Sequence, residues 1–252
     1  MRVFAVSDLH VDFDENARWL VSLSEQDYRA DVLILAGDIA DSIRLVEWGL
    51  AAAVHRFGTV LYVPGNHELW VGRDKDREPG ETSLERFERV RQLAHGCGAI
   101  TKPFTQGSLS IVPLFGWYDY SFGEPGPALR RRWIDYRACR WPDGFDVREI
   151  TAYFLGLNQR ALATTNARVI SFSHFMPRAD LLPVIEGRLV LHPVLGSAAL
   201  DEQIRRLGSE RHVYGHSHVN RRQTRDGVTY VNNAFGYPSE SHYTSKQLVQ
   251  VW

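Results

Sequence analysis

The stretch TVLYVPGNHELW, residues 59–70, joins a continuous apolar run to three polar side chains across a Pro-Gly turn. The run has the length and the β-branched and aromatic content of a buried strand. Directly after the turn come Asn66, His67 and Glu68, whose side chains can coordinate cations or move protons. These three side chains form a site only if other segments of the chain bring partners to the same strand end.

The first third of the chain alternates buried strands with helices. Three strands are predicted, at VFAV (3–6), DVLILAG (31–37) and TVLYVPG (59–65). Apolar residues recur at three- and four-residue steps from Ile43 to Phe57, which predicts a crossover helix between the last two strands. Thr82 and Glu85 have the spacing of a capping box at the start of another helix. This β-α-β-α-β order predicts parallel strands joined by helices.

The second half continues the alternation and adds antiparallel strands near its end. The predicted elements are strands at 108–116, 168–175 and 211–218 and helices near 149–164 and 198–207. The final apolar runs, VTYVNNAFG and KQLVQVW, are typical of antiparallel strands. Two segments, 117–147 and 176–197, interrupt the alternation and are rich in Pro, Gly, Arg and aromatic residues. We predict a single domain, 1–252, with these two segments as cap-like insertions over one face.

Composition favours a protein with a substantial core and no strong charge of its own. The chain has 252 residues, of which 44% are hydrophobic, and a formal net charge of -1. This balance gives no sign of the long basic groove that nucleic acids require. Cys97 and Cys139 do not form a disulfide framework and are expected to be free thiols. No signal peptide or membrane span is recognised, so we expect a cytoplasmic protein without a membrane partner; no oligomeric state is predicted.

Polar residues follow the predicted strands at five separate places. They are Asp8 and His10, Asp38 and Asp41, Asn66 and His67, His174, and finally His216 and His218. Any one of them has an ordinary structural explanation, such as a helix cap, a turn residue or a buried histidine. Ligand sites in open α/β sheets, however, lie beyond the carboxyl ends of the strands. The whole set therefore predicts a metal site.

The number and charge of these groups predict two cations. The set exceeds what one ion needs, whereas two ions about 3.5–4 Å apart that share a carboxylate would use all of it. Asp8 and Asp38 would neutralise two of the four positive charges and leave a site that attracts phosphoryl oxygen. His216 and His218 strengthen the case, because alternate residues of a strand face the same side. Mn is our first choice of metal, and Fe, Zn, Co or Ni also suit these ligands.

Five motifs in this chain resemble those of the calcineurin-like metallophosphoesterase superfamily. They are DLH at 8–10, GDIAD at 37–41, GNHE at 65–68, His174 in SHF, and GHSH at 215–218. The resemblance implies an α/β fold, a four-layer α/β/β/α sandwich of two mixed sheets flanked by helices. It also implies that SHF, in place of the commoner Gly-His, keeps its ligand. Glu68, in place of the frequent Asp, would support the site rather than act.

The resemblance assigns a role to each residue of the set. Asp8, His10 and His218 would bind one metal ion, Asp38 would bridge, and Asn66, His174 and His216 would bind the second. His67, with Asp38, would be catalytic, and Asp41 would orient backbone or a ligand histidine. The implied reaction is hydrolysis of a phosphate ester, in which a hydroxide between the two ions attacks phosphorus in line. His67 would protonate the leaving oxygen.

The substrate is less well defined by the sequence. The expected substrate is a small-molecule or nucleotide phosphomonoester or diester, bound by Asn66, His67, Arg131 and Arg132. The first insertion also carries Trp117, Tyr118 and Tyr120, which either stack on the substrate or pack on the core. Weaker candidates for substrate contact are Asn233, His242, Arg178 and His192. A nuclease or protein phosphatase is the alternative; a metal-stabilised scaffold without activity is disfavoured, because His67 and every ligand are present.

Overall fold

Two β-sheets stack face to face with helices on their outer sides. The computed structural model describes residues 1–182 and 189–252. The strands are β1 Val3–Val6, β2 Val32–Leu35, β3 Thr59–Tyr62, β4 Phe104–Gln106, β5 Leu109–Pro113, β6 Arg168–Phe172, β7 Arg211–Tyr214, β8 Arg221–Arg225, β9 Val228–Asn232 and β10 Val249–Gln250. The helices are α1 Asp14–Ser22, α2 Ile43–Arg56, α3 Ser83–Gly96, α4 Pro127–Arg132, α5 Asp135–Ala138, α6 Val147–Leu157 and α7 Ala198–Arg206, with 3-10 turns at His67–Leu69, Ala161–Ala163, Ala179–Leu181, Leu189–Val194 and Pro238–Glu240. The predicted four-layer α/β/β/α sandwich is confirmed.

Both sheets are mixed, with parallel strands at the centre. The first sheet has the order β10-β1-β2-β3 and the second has the order β4-β5-β6-β7-β9-β8. The neighbours β1, β2 and β3 are parallel, as the β-α-β-α-β pattern predicted. The expectation of antiparallel strands near the end of the chain is confirmed for β10, which pairs antiparallel with β1. It is wrong in part for β9, which lies parallel to β7 and antiparallel only to β8.

The two faces of β1 show how the layers are separated. Val3 and Ala5 point into the core between the two sheets, while Phe4 and Val6 point to the opposite side, where helices cover the first sheet. Successive side chains of a strand face opposite sides, so a strand buried on both faces is apolar at every position. This explains why VFAV and VLIL are continuous apolar runs.

The helix boundaries agree with the sequence at the start of α3 but not at the end of α6. Thr82 Oγ1 accepts from the Glu85 backbone N–H at 3.2 Å and Glu85 Oε2 accepts from the Thr82 N–H at 2.8 Å, so the capping box is confirmed. The helix predicted near 149–164 ends at Leu157. Asn158 ends it, because its side-chain amide pairs with both backbone groups of Phe115, at 2.9 and 2.8 Å.

Part of the first insertion belongs to the hydrophobic core. Trp117 and Tyr118 are 1% and 2% exposed and pack among Phe154, Phe175 and Trp141, so they pack on the core rather than stacking on a substrate. The second insertion, 176–197, is described only in part, since 183–188 lie outside the described residues. The single-domain interpretation with two insertions stays a prediction. Among the described helices, none has both the length and the apolar character of a membrane span.

Candidate metal centre

The loops after β1, β2 and β7 carry their polar residues in an unusual backbone conformation. Five of these residues have positive φ angles: Asp8 (53°), His10 (44°), Asp38 (55°), His216 (65°) and His218 (48°). Non-glycine residues seldom adopt this conformation, which is retained mainly at functional sites. The strand β7 ends at Tyr214, so the two histidines after it come together through loop geometry. The alternation within a strand that we invoked for them is therefore the wrong reason for a correct grouping.

Asp8, His10 and His218 form the first cluster of possible ligands. His218 Nε2 lies 3.1 Å from Asp8 Oδ1 and 3.3 Å from His10 Nε2. Atoms that bind one cation at about 2.0–2.2 Å stand about 3.0–3.5 Å from each other. All three side chains are buried, so the cluster has the spacing and the seclusion of a metal site.

Asp38, Asn66, His174 and His216 form the second cluster. His174 Nε2 lies 3.3 Å from Asp38 Oδ2, 3.1 Å from Asn66 Oδ1 and 3.1 Å from His216 Nδ1. A third cluster joins Asp38 to His10 and His67. Asp38 therefore lies between the first two clusters, at the position that a shared carboxylate would occupy.

The outward nitrogens of the second-cluster histidines fix the orientation of both rings. His174 Nδ1 lies 2.9 Å from the Ala36 carbonyl oxygen and His216 Nε2 lies 3.0 Å from the Val194 carbonyl oxygen. A carbonyl only accepts, so each outward nitrogen donates, and in a neutral ring the inward nitrogen then carries a lone pair. Two lone pairs, an amide oxygen and a carboxylate oxygen thus converge within 3.3 Å. A cation is the species that relieves their mutual repulsion, and the donor set fits a divalent metal.

The electrostatics of the site are dominated by its buried carboxylates. Burial alone would raise the pKa of Asp8, but His218 beside it lowers that pKa to about 2. Burial opposes the charged form of His218 and His174 in the same way, yet Asp8 raises the pKa of His218 to about 10. Asp38 similarly raises the pKa of His174 to about 9. Both buried carboxylates thus favour positive charge within the site; a proton on each ring supplies it without metal, and a bound cation would replace that proton and leave the rings neutral.

Glu68 and two glycines hold the loops that carry the candidate ligands. The Glu68 carboxylate accepts from the backbone N–H groups of Asp38, Ile39 and Gly65, at 3.0, 2.5 and 2.6 Å. It therefore joins the loop after β2 to the loop after β3, which confirms the supporting position expected for Glu68. A Cβ on Gly37 would approach His174 Nδ1 to 2.4 Å, and one on Gly65 would approach Asp38 Oδ1 to 2.1 Å. Only glycine permits these approaches.

His67 is held beside the clusters by an acidic partner. Its Nδ1 lies 2.6 Å from Asp41 Oδ1, and its Nε2 lies 3.6 Å from Asp38 Oδ2 and 3.4 Å from the Tyr237 hydroxyl. Burial opposes protonation of His67, but Asp38 and then Asp41 outweigh it and raise its pKa. The orienting role expected for Asp41 thus applies to His67, whereas a backbone group or a ligand histidine was predicted.

A pocket of about 400 Å³ opens above these groups. Its polar residues include Asp38, Asn66, His67, His216, His218 and Glu240. Its apolar residues are Trp70, Leu129, Trp133, Ile134, Leu191 and Leu195, and Tyr237 also borders it. Residues from both 117–147 and 176–197 therefore border the pocket.

Of the two arginines predicted to bind substrate, the structure brings one to the pocket. Both are exposed, but Arg132 borders the pocket and Arg131 is not part of its lining. Tyr120 is half-buried and lies against Tyr118, with Arg130 6.0 Å from its ring.

The four weaker candidates for substrate contact lie outside the lining of this pocket. The Asn233 side chain donates to the Ala5 and Gln247 carbonyls, both at 3.0 Å. His242 is exposed and His192 half-buried, and neither borders the pocket. Arg178 is held 2.8 Å from Asp180 and 2.9 Å from Asp226. None of these four residues lines the pocket.

Three residues near the site were not found by sequence reasoning. Tyr237 and Glu240 belong to the loop NNAFGYPSESHY, which was expected to approach the site, but Asn233 and His242 were chosen from it. Glu240 Oε2 lies 2.5 Å from His218 Nδ1, so it orients that histidine. Asp135 is 2% exposed and bonds to Asn66, and no motif marks it.

Comparison with known proteins identifies the family. A family model described as calcineurin-like phosphoesterase matches residues 1–220. The chain belongs to the calcineurin-like phosphoesterase family. It is therefore a phosphoric ester hydrolase. Members of this family use divalent metals, for which the two clusters are the candidate sites.

One relative is similar to this chain over nearly the whole length of this chain. The acyl-carrier-protein phosphodiesterase PptH of Mycobacterium tuberculosis (strain ATCC 25618 / H37Rv) is 27% identical over 266 residues, covering 94% of this chain and 78% of PptH. The crystal structure of phosphopantetheinyl hydrolase PptH from M. tuberculosis matches with a TM-score of 0.82 and 26% identity, covering 99% of this chain and 95% of that chain. The shared fold thus includes both sheets.

Proposed function

We propose that this chain is a two-metal phosphodiesterase that releases a phosphopantetheinyl group from a carrier protein. The observation that supports this most directly is the two-sided pocket, in which metal-ligating groups face a wall of large apolar side chains. The similarity to PptH, whose name states an acyl-carrier-protein phosphodiesterase, supports the choice of substrate.

The pocket has room for a phosphate with one extended arm. Its volume of about 400 Å³ is that of a small-molecule site, and few polar groups orient a ligand there while apolar groups supply contact area. The phosphate would lie on the polar residues. The pantetheine arm, which is unbranched apart from a dimethyl group, would lie along Trp133, Ile134 and Leu191.

We assign the metal ligands to the two clusters around Asp38. Asp8, His10 and His218 would hold one ion, Asn66, His174 and His216 the other, and Asp38 both, with Mn²⁺ as the preferred metal. Two divalent ions supply Lewis-acid stabilisation of the phosphoryl oxygens and lower the pKa of the attacking water.

His67 is the proton donor in this proposal. It borders the pocket, its pKa is raised by Asp38 and Asp41, and Asp41 holds its Nδ1 so that Nε2 faces the pocket side. The bond that breaks joins phosphorus to the carrier hydroxyl oxygen. His67 Nε2 gives that oxygen its proton, so a neutral hydroxyl leaves and the phosphate stays on the pantetheine.

Arg132 is the arginine that we assign to substrate binding. It borders the pocket, and a guanidinium can bind a phosphoryl oxygen or a carboxylate on the carrier with two hydrogen bonds. Arg131, one residue earlier on α4, lies outside the lining and serves as the matched comparison.

The test is hydrolysis of a phosphopantetheinylated acyl carrier protein, followed by intact-mass spectrometry in the presence of Mn²⁺. We expect conversion of the carrier to its unmodified form, with phosphopantetheine as the second product and no conversion by Asp38→Asn. A chromogenic phosphodiester is assayed in parallel. Cleavage of that diester with an untouched carrier would overturn the substrate while leaving the phosphodiesterase activity in place.

A further inference from the structure

Asp135 lies at the meeting point of the first insertion and the second ligand cluster. It is 2% exposed and belongs to α5. Its Oδ1 accepts from Asn66 Nδ2 at 2.9 Å and from Trp70 Nε1 at 2.7 Å, and its Oδ2 accepts from Trp133 Nε1 at 2.8 Å. A carboxylate buried with three donors and no cationic partner among these contacts is costly, so its retention requires an explanation.

The bond to Asn66 determines which end of that amide faces the ligand cluster. A side-chain amide has an accepting oxygen and a donating nitrogen at nearly equal positions, so either end could point inward. Because the carboxylate of Asp135 only accepts, it holds Asn66 Nδ2 on the outer side. Asn66 Oδ1 is thereby left 3.1 Å from His174 Nε2, among the other inward lone pairs. In the opposite orientation an N–H would face the cation.

The same carboxylate holds two walls of the pocket. Trp70 and Trp133 both border the pocket, and each donates its indole N–H to Asp135. The Trp70 ring lies 3.6 Å from the His67 ring, and the Trp133 ring stands perpendicular to His216 at 5.9 Å. A single group in the insertion therefore contacts one residue of the second cluster and two of the residues that line the pocket.

We propose that Asp135 is a positioning residue. Its carboxylate holds Asn66 with the amide oxygen toward the candidate metal, and it also fixes the rings of Trp70 and Trp133 at the edge of the pocket. The proposal rests on the metal-dependent function above, because Asn66 needs a cation to bind. Residues that orient a metal ligand typically change metal affinity by about 10- to 100-fold when they are removed. Asp135 should therefore affect metal binding even in the absence of substrate.

The test measures Mn²⁺ binding to the substrate-free protein by electron paramagnetic resonance. The KM for a chromogenic phosphodiester is measured separately. Asp135→Ala removes all three bonds, and we expect the more weakly bound Mn²⁺ to lose about 10- to 100-fold in affinity. Asp135→Asn keeps an oxygen for Asn66 and Trp70 but places an amide N–H against Trp133. This variant should bind both ions within about threefold of the wild type while its KM rises, and Trp133→Phe should reproduce that pattern.

Two results would overturn the proposal. Wild-type metal affinity in Asp135→Ala would show that Asn66 keeps its orientation unaided. Loss of affinity in Asp135→Asn as large as in Asp135→Ala would show that the charge, and not the orientation, matters. If Asp135→Ala fails to fold, Asp135→Asn and Trp133→Phe still test the proposal. Both must show a raised KM with intact metal binding, and any other result contradicts it. A failure of the carrier-protein assay alone would leave these binding results unaffected.

Discussion

Replacement of Asp41 by Asn should separate catalysis from metal binding. Asp41 Oδ1 lies 2.6 Å from His67 Nδ1, and its side chain is 26% exposed, so the pair is largely shielded from water. Asparagine can still accept this hydrogen bond, which preserves the ring orientation but removes the negative charge. A hydrogen bond to a charged group contributes about 1.5–3 kcal/mol. This energy holds the proton on His67, so its loss lowers the protonated fraction of this general acid, and at pH above the pKa of His67 kcat should fall by about 10- to 100-fold.

The assay is steady-state hydrolysis of a chromogenic phosphodiester over a range of pH, with metal content measured on the same samples. Because Asp41 raises the pKa of His67, its loss should move the alkaline limb of the rate profile to lower pH. Arg73→Ala is the control: Arg73 Nε lies 3.6 Å from the other oxygen of Asp41 and is half exposed, so a change below about threefold is expected. An Asp41→Asn protein with wild-type kcat, or with metal lost in proportion to activity, would refute the proton-transfer role.

Three further substitutions, two of them with a matched control, test catalysis, substrate binding and stability. His67→Asn should lower kcat by about 10²- to 10⁴-fold while metal content by elemental analysis stays near two per chain; equal loss of metal would make His67 structural. Arg132→Ala should raise KM for the carrier substrate by about tenfold, whereas Arg131→Ala should leave it nearly unchanged, and equal effects would contradict the pocket assignment. Arg86→Met should lower the free energy of unfolding by about 3–5 kcal/mol in denaturant titrations, because its acidic partners stay buried without it. Arg44→Met, at an exposed pair, should change it by less than about 1 kcal/mol.

The residues that the sequence predicted well are those whose position is fixed locally. Asp8, Asp38 and Asn66 each follow an apolar strand by two to four residues, and parallel strands bring their carboxyl ends to one edge. Placing them together required only the strand assignments. His216 and His218 were grouped correctly for the wrong reason, since their loop adopts positive φ angles that a strand pattern does not predict.

The residues that the sequence missed are fixed by contacts between distant segments. Asp135 reaches Asn66 across 69 positions of the chain, and Tyr237 reaches His67 across 170. No motif or periodicity marks such a pair, because its geometry depends on how the insertions and the last loop pack on the sheets. The aromatics of the first insertion show the same limit: composition does not distinguish buried Trp117 from Trp133, which borders the pocket.

The most direct test of the two-metal phosphodiesterase is a metal titration of the metal-free protein. Hydrolysis of a chromogenic phosphodiester and a chromogenic phosphomonoester is followed as Mn²⁺ is added, with Asp38→Asn as the blank. We expect diester hydrolysis to dominate, to appear only as the second equivalent of Mn²⁺ binds, and to be absent from the blank. Full activity at one ion per chain, faster cleavage of the monoester, or an active Asp38→Asn protein would contradict this expectation.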